Sequence, residues 1–327
     1  MKYLNLSAAY QGTGWRARFG SLRQDIKEGK YWLNYKVNTE WNTLNAVIVH
    51  VPNANILNEE NPNDIQHLES IDFNILNSQL KMMCNCYKKM GIKVHFITLS
   101  KSKKKNSEEK IFYNLMYVRD LFFMTPEGAI ISRMGSSVRA GEERHIAASL
   151  SKLGIPIIHT IGGSGTFEGA DALWVNGKIV IVGVGNRTNN YGYKQIKECL
   201  NYQGVEVKRV VLPSKIQHLL GVLQIIDKDL AIVRVELISK EFKILLQQLG
   251  LQLIELYETY EVCLGQAMNF VTIGSRKIIM VGNNPETRNI YEKNGIEIAG
   301  EIELNELLKG AGGLGCATGI LNRSEFI

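Results

Sequence analysis

One pattern constrains the fold of this chain more than any other: a hairpin, a helix and a strand that return about every 50 residues. The hairpin turns fall at Pro126-Glu127-Gly128, Asn176-Gly177, Asp227-Lys228-Asp229 and Gly274-Ser275. In the first unit, strands Tyr117–Met124 and Ala129–Arg133 precede a helix over Glu142–Leu153 and a strand over Ile155–Thr160. The later units repeat that order, with helices near Tyr193–Leu200, Lys240–Leu249 and Glu286–Asn294. A ββαβ unit at fixed period marks radial repetition, since each unit buries its apolar face against its neighbours. Upstream, Leu44–Val51, a helix over Phe73–Met90 and Ile92–Ile97 supply most of a fifth unit, which the C-terminal run completes. The spacing therefore predicts an α/β fold, a five-bladed pseudosymmetric propeller with helices outside and a pocket on the axis. An open α/β sheet would explain the elements but not the period. Residues 1–40 are polar, aromatic and weakly periodic, and are expected to form a strap over a single domain at 41–327.

Composition narrows the partners. The 327 residues carry a net charge of +6, without a long basic stripe, so nucleic acid is not implied. A mildly positive field favours anionic or zwitterionic small substrates. No run of about 18 apolar residues is present, and the N-terminus lacks an apolar signal segment, so membrane insertion is not expected and a cytoplasmic location is. Five cysteines at irregular spacing suggest neither a disulfide framework nor a zinc site. The charged stretch Lys101–Lys110 reads as a solvated loop.

The chemistry concentrates near strand starts and in one C-terminal run. Gly310-Ala311-Gly312-Gly313-Leu314-Gly315-Cys316-Ala317-Thr318-Gly319 sets one cysteine among five glycines. Such residues let a backbone approach a ligand closely and take positive φ, so Cys316 reads as a nucleophile at a pocket mouth, against the alternative of an incidental thiol. Arg119-Asp120 interrupts an apolar strand, which is costly unless the pair faces a wet cavity or closes an internal ion pair. Glu168 and Asp171 flank Gly169-Ala170 in an acidic loop, and His218 opens the third hairpin at the matching repeat position. Histidine is the usual general acid–base near neutral pH. Arg139 and Arg187 follow the second strands of successive hairpins, where each could clamp a carboxylate or close a surface ion pair.

These residues resemble, in order and spacing, the pentein guanidino-group-modifying enzymes: arginine deiminases, dimethylarginine dimethylaminohydrolases and amidinotransferases. The likeness is carried by Val118-Arg119-Asp120, Phe167-Glu168-Gly169-Ala170-Asp171, Arg187-Thr188-Asn189, His218-Leu219 and Gly312-Gly313-Leu314-Gly315-Cys316, and runs from about Val37 to the C-terminus. It implies the same five-bladed fold. It implies Cys316 as nucleophile, His218 as general acid–base and Glu168 as the carboxylate that completes the triad and contacts the guanidinium. Asp120 is implied to bind guanidinium nitrogens, Arg139 and Arg187 to hold an α-carboxylate, and Asp171 to play a more structural part. Deiminases and amidinotransferases usually carry an aspartate two residues after the histidine. Here that position is Leu220, which is nearer the dimethylarginine hydrolase pattern. An apolar wall at Leu220 is expected to accept an N-substituted guanidine. Ala170 and the N-terminal strap lean instead toward amidinotransferases.

The mechanism this implies starts from a thiolate at Cys316 attacking the guanidinium carbon, as His218 protonates the leaving amine. Water then releases a ureido product from the amidino-thioether on arginine or an N-substituted arginine. The alternative is transfer of the amidino group to an acceptor amine. A non-catalytic binding ring would be expected to have lost these residues. The substrate is a small guanidino compound, no metal or organic cofactor is implied, and a homo-oligomer is left open.

Overall fold

A computed structural model of the chain describes residues 6–54, 56, 60–99 and 111–325. The stretch Lys101–Lys110, expected as a solvated loop, lies outside the described residues. The elements run in chain order as α1 (Leu22–Glu28), β1 (Leu44–Val49), α2 (Phe73–Lys89), β2 (Lys93–Phe96), β3 (Phe122–Thr125), β4 (Gly128–Ile131), α3 (Glu143–Leu153) and β5 (Ile157–Thr160). There follow β6 (Ala172–Asn176), β7 (Ile179–Val184), α4 (Asn190–Asn201), β8 (Glu206–Val211), β9 (Leu223–Asp227), β10 (Leu230–Arg234), α5 (Lys240–Gln248) and β11 (Gln252–Leu256). The chain ends with α6 (Tyr260–Cys263), β12 (Val271–Gly274), β13 (Lys277–Val281), α7 (Pro285–Lys293), β14 (Glu297–Ile302), α8 (Asn305–Leu308) and β15 (Gly319–Arg323).

The described residues form five three-stranded sheets: β15-β1-β2, β3-β4-β5, β6-β7-β8, β9-β10-β11 and β12-β13-β14. These are blades 1 to 5. In every blade the middle strand is antiparallel to the first and parallel to the last. The ring closes as expected, because the C-terminal strand β15 pairs with the N-terminal β1. The turn at Asn176-Gly177 sets its hairpin with Ala172 opposite Val182 and Leu173 opposite Ile181.

Chemistry along each blade follows its depth. Middle strands are buried on both faces, so Val47-Ile48, Ala129-Ile130 and Val180-Ile181-Val182 are continuous apolar runs. Outer strands such as β8 alternate instead, with Glu206 exposed and Val207 buried. The helices pack outside. Asp72 caps α2 by accepting from Asn74 and Ile75 N–H, and Gly91, at φ 77°, turns the chain out of it. The N-terminal arm crosses blades 2 and 3, where Arg23 reaches the Gln203 carbonyl and the Glu127 carboxylate.

Two stretches differ from the sequence expectation. Residues Val118–Leu121, read as strand, form a 3-10 turn before β3. The turn sets Arg119 against Glu40 at 3.0 Å and Asp120 against Arg139. The strand read from Met268 begins only at Val271, because Asn269 is engaged with the C-terminal run.

Candidate active site

The site is assembled from the approaches to the five inner strands. Asp120, Glu168, His218, Asn269 and Cys316 each lie within five residues upstream of the inner strand of their blade, β3, β6, β9, β12 and β15. Glu168 and His218 occupy the same place, just before a 3-10 turn at Gly169–Asp171 and at Leu219–Gly221. Radial symmetry therefore delivers five side chains to one end of the axis. There Asp120, His218 and Cys316 border a small cavity whose wall also includes Arg139, Arg187 and Gln217.

His218 Nε2 lies 2.6 Å from Glu168 Oε2, and its Nδ1 lies 3.8 Å from Asp120 Oδ1. Burial disfavours the imidazolium, but Asp120 and the Glu168 hydrogen bond outweigh it and lift His218 to about 9. His218 is thus a proton donor at neutral pH. Glu168 is fully buried behind the imidazole; burial alone would raise its pKa, but His218, Arg139 and Arg187 hold it far below the carboxylate range. Its Oε1 also accepts from Gly135 N–H at 2.9 Å. Glu168 stands behind His218 and does not itself border the cavity.

Asp120 is 2% exposed. Its Oδ2 accepts from Arg139 Nη1 at 2.5 Å, while Oδ1 has no hydrogen-bond partner among the described residues. Burial and the Asp120 charge push the Cys316 thiol up to about 11, against the Asn269 amide, the Gly313 backbone N–H and Arg139. The thiolate expected from the sequence is therefore not the resting form of this cysteine. Asp120, Glu168 and His218 also group closely enough to offer a metal three ligand atoms. Those donors already hold one another and Arg139, however.

Arg139, Asp171 and Leu220 each have a distinct setting in the structure. Arg139 reaches the cavity wall, but its guanidinium is spent on Asp120, on Glu142 through Nε and Nη2 at 3.0 and 2.9 Å, and on the Tyr117 carbonyl at 3.2 Å. It positions Asp120 and is not free to clamp a carboxylate. Asp171 does not border the cavity: it accepts from Thr188 Oγ1 at 2.6 Å and from Leu219 N–H at 2.9 Å, pinning the turn that carries His218. Leu220 points the other way, into a separate cavity of about 270 Å³ with Gln224, Phe270 and Arg323. A Cβ at Gly315 would lie 3.6 Å from Leu220 Cδ2. Leu220→Ala is accordingly expected to cost about 2–3 kcal/mol of stability in urea denaturation. The turnover ratio of arginine to N-methylated arginine should not move; a changed ratio would return Leu220 to the pocket. Arg187 is half-buried on the cavity wall, its nearest anion Glu168 at 3.5 Å.

The glycine run has a reason the sequence did not show. A Cβ on Gly312 would sit 2.4 Å from the Tyr117 ring, and one on Gly313 or Gly315 would sit 2.9 Å from the Asn269 side chain. The run is small so that Tyr117 and Asn269 can lie against it, and its positive φ falls on Ala311, at 67°. Asn269 itself was not singled out from the sequence. Its place just before the inner strand of blade 5, matching that of Asp120 before the inner strand of blade 2, is the signal that would have found it.

Comparison with known proteins bears on both fold and site. An uncharacterized protein of Aeropyrum pernix is 30% identical over 189 residues, which are 58% of this chain and 65% of that protein. The chain thus spans just under two thirds of that relative's length. The uncharacterized protein YkgA of Bacillus subtilis is 28% identical over 294 residues, 88% of this chain and 95% of its own. A dimethylarginine dimethylaminohydrolase from Pseudomonas aeruginosa, in complex with citrulline, shares the fold with a TM-score of 0.67. It is 22% identical and covers 86% of this chain and 100% of its own. An inosamine-phosphate amidinotransferase from Streptomyces griseus does so with a TM-score of 0.72, at 13% identity over 90% of this chain and 98% of its own. The fold and the family match together place the chain among the pentein guanidino-group-modifying enzymes, a superfamily whose members act on amidine C–N bonds. Within that superfamily, residues 53–322 match the family described as N,N dimethylarginine dimethylhydrolase, eukaryotic, and the chain belongs to it.

Proposed function

We propose that this enzyme hydrolyses arginine or an N-substituted arginine to a ureido product through a covalent adduct on Cys316. The observation that carries the reading is Asp120 Oδ1, a buried carboxylate oxygen without a partner among the described residues, on the wall that Cys316 and His218 share. Leaving such a group unsatisfied costs about 1–3 kcal/mol. A guanidinium N–H satisfies it and offsets the charge that keeps Cys316 protonated. Membership in a dimethylarginine hydrolase family supports hydrolysis over transfer.

The steps follow from these positions. The docked cation neutralises Asp120 and lies beside the sulfur, so the Cys316 proton leaves to solvent. The thiolate forms an S–C bond to the guanidinium carbon. The C–N bond breaks as His218 Nδ1–H protonates the departing amine. Neutral His218 then takes a proton from water as its oxygen attacks the same carbon. The C–S bond breaks, the hydroxyl proton on the same carbon passes to solvent, and the neutral ureido product leaves with thiolate and imidazolium restored. Glu168 holds the imidazole in place throughout, as the third member of a triad does.

The test is intact mass and product analysis with a panel of guanidino compounds. A transient adduct on Cys316 and a ureido product are expected without any added amine. Product that forms only with an acceptor amine would assign amidino transfer instead. Arg187 is the wall cation with the weakest internal pairing, and is assigned to the substrate's α-carboxylate. Arg187→Ala should weaken carboxylate-bearing substrates by about 1.5–3 kcal/mol, read mainly in KM. Agmatine, which lacks the carboxylate, should be nearly indifferent. Equal losses for both would make Arg187 a support for Glu168 only.

A further inference from the structure

The reaction above needs a thiolate, yet it names no protein group that holds one. Four blades account for Asp120, Glu168, His218 and Cys316. The fifth places Asn269 directly on the nucleophile: its Nδ2 lies 3.0 Å from Cys316 Sγ, and its Oδ1 accepts from the Cys316 backbone N–H at 3.1 Å. We infer that Asn269 is a catalytic residue, whose amide N–H donates to the Cys316 sulfur and stabilises the thiolate during attack and release. The inference rests on Cys316 being the nucleophile.

The direction of that amide is fixed by its surroundings. A backbone N–H can only donate, so the atom facing Cys316 N–H is the oxygen, and the nitrogen must face the sulfur. A second constraint agrees. Gln266 donates from Nε2 to the Cys263 carbonyl at 3.3 Å, which turns its Oε1 toward Asn269 Nδ2, also at 3.3 Å. Packing locks the group as well, since a side chain at Gly313 or Gly315 would collide with it. The Asn269 carbonyl accepts from Gly315 N–H at 3.2 Å, holding the two backbones together. A donor fixed in this way needs no reorganisation when charge develops on sulfur, which makes it effective in a buried site.

A merely structural Asn269 would hold the Cys316 backbone and leave the sulfur's titration alone. The variant that separates the two roles is Asn269→Asp. It keeps an oxygen for Cys316 N–H but sets a carboxylate against the sulfur. Asn269→Ala removes both contacts and carries the test if the Asp variant does not fold. The readout is the rate of iodoacetamide alkylation at Cys316 against pH, followed by peptide mass spectrometry to exclude the other four thiols. The alkylation midpoint is expected to rise by about one unit or more in Asn269→Asp, and by less in Asn269→Ala. With arginine-type substrates, kcat should fall roughly 100-fold with little change in KM. An unchanged midpoint in folded variants would overturn the inference. If the wild type alkylates normally yet turns over no guanidino compound, the proposed reaction fails. The coupling of Asn269 to Cys316 would still be read from the same midpoints.

Discussion

Cys316→Ala should yield a folded protein with no measurable turnover and no guanidino-derived mass adduct. The loss in kcat is expected to be on the order of 10⁴-fold or more, because removing the nucleophile leaves only binding and the charges of the site. The fold should survive for reasons visible in the structure. The substitution keeps the Cys316 backbone, whose N–H is held by Asn269 Oδ1 and whose carbonyl accepts from Arg119 N–H at 3.0 Å. The side chain itself is only half-buried, so little packing is lost. Circular dichroism and a melting temperature within a few degrees of wild type would establish the fold. Retained turnover in purified Cys316→Ala would end the covalent mechanism. Retained ligand binding without turnover is the expected signature, since the proposed guanidinium contact belongs to Asp120.

The architecture was legible because its punctuation was local. Asn176-Gly177 and Pro126-Glu127-Gly128 demand tight turns, and four such turns at one period leave few topologies. The arrangement of the strand starts was less legible. An apolar run such as Met116-Tyr117-Val118 reads as strand whether or not a 3-10 turn interrupts it, and partners distant in sequence decide: Glu40 draws Arg119 one way and Arg139 draws Asp120 the other. The same limit applies to Leu220. Its spacing from His218 was plain, but the turn at Leu219–Gly221 rotates successive side chains away from each other, so spacing alone cannot say which faces the axis. Cys316, His218 and Asp120 could be singled out because nucleophiles and charges are rare at strand starts. Asn269 carries no charge and became visible only once the repeat was laid over it.

Arg139 offers the sharpest contrast between what an arginine suggests in sequence and what it does in the fold. It is 3% exposed and holds two buried carboxylates, Asp120 and Glu142, while standing 3.8 Å from a third, Glu168. Arg139→Met should therefore destabilise the protein by about 3–5 kcal/mol, the cost of leaving buried charges without their partner. The pH dependence of that loss has a definite sign. Burial already lifts Glu142 to about 7 with the guanidinium in place. Without it, Glu142 is held further above the pKa of an unfolded chain, and the folded variant keeps a proton that the unfolded chain has lost. Stability of the variant relative to wild type should then fall as pH rises above about 7, where wild-type Glu142 gives up its proton and the variant's does not. It should recover at acid pH, where the carboxylates are neutral in both states. Arg139→Lys restores charge without the forked geometry, and should recover only part of the stability. Urea denaturation across pH reads all three proteins. A substrate clamp would behave in the opposite way: KM would rise many-fold, stability would hardly change, and the pH profile would follow wild type. That result would return Arg139 to the substrate and leave Asp120 without its anchor.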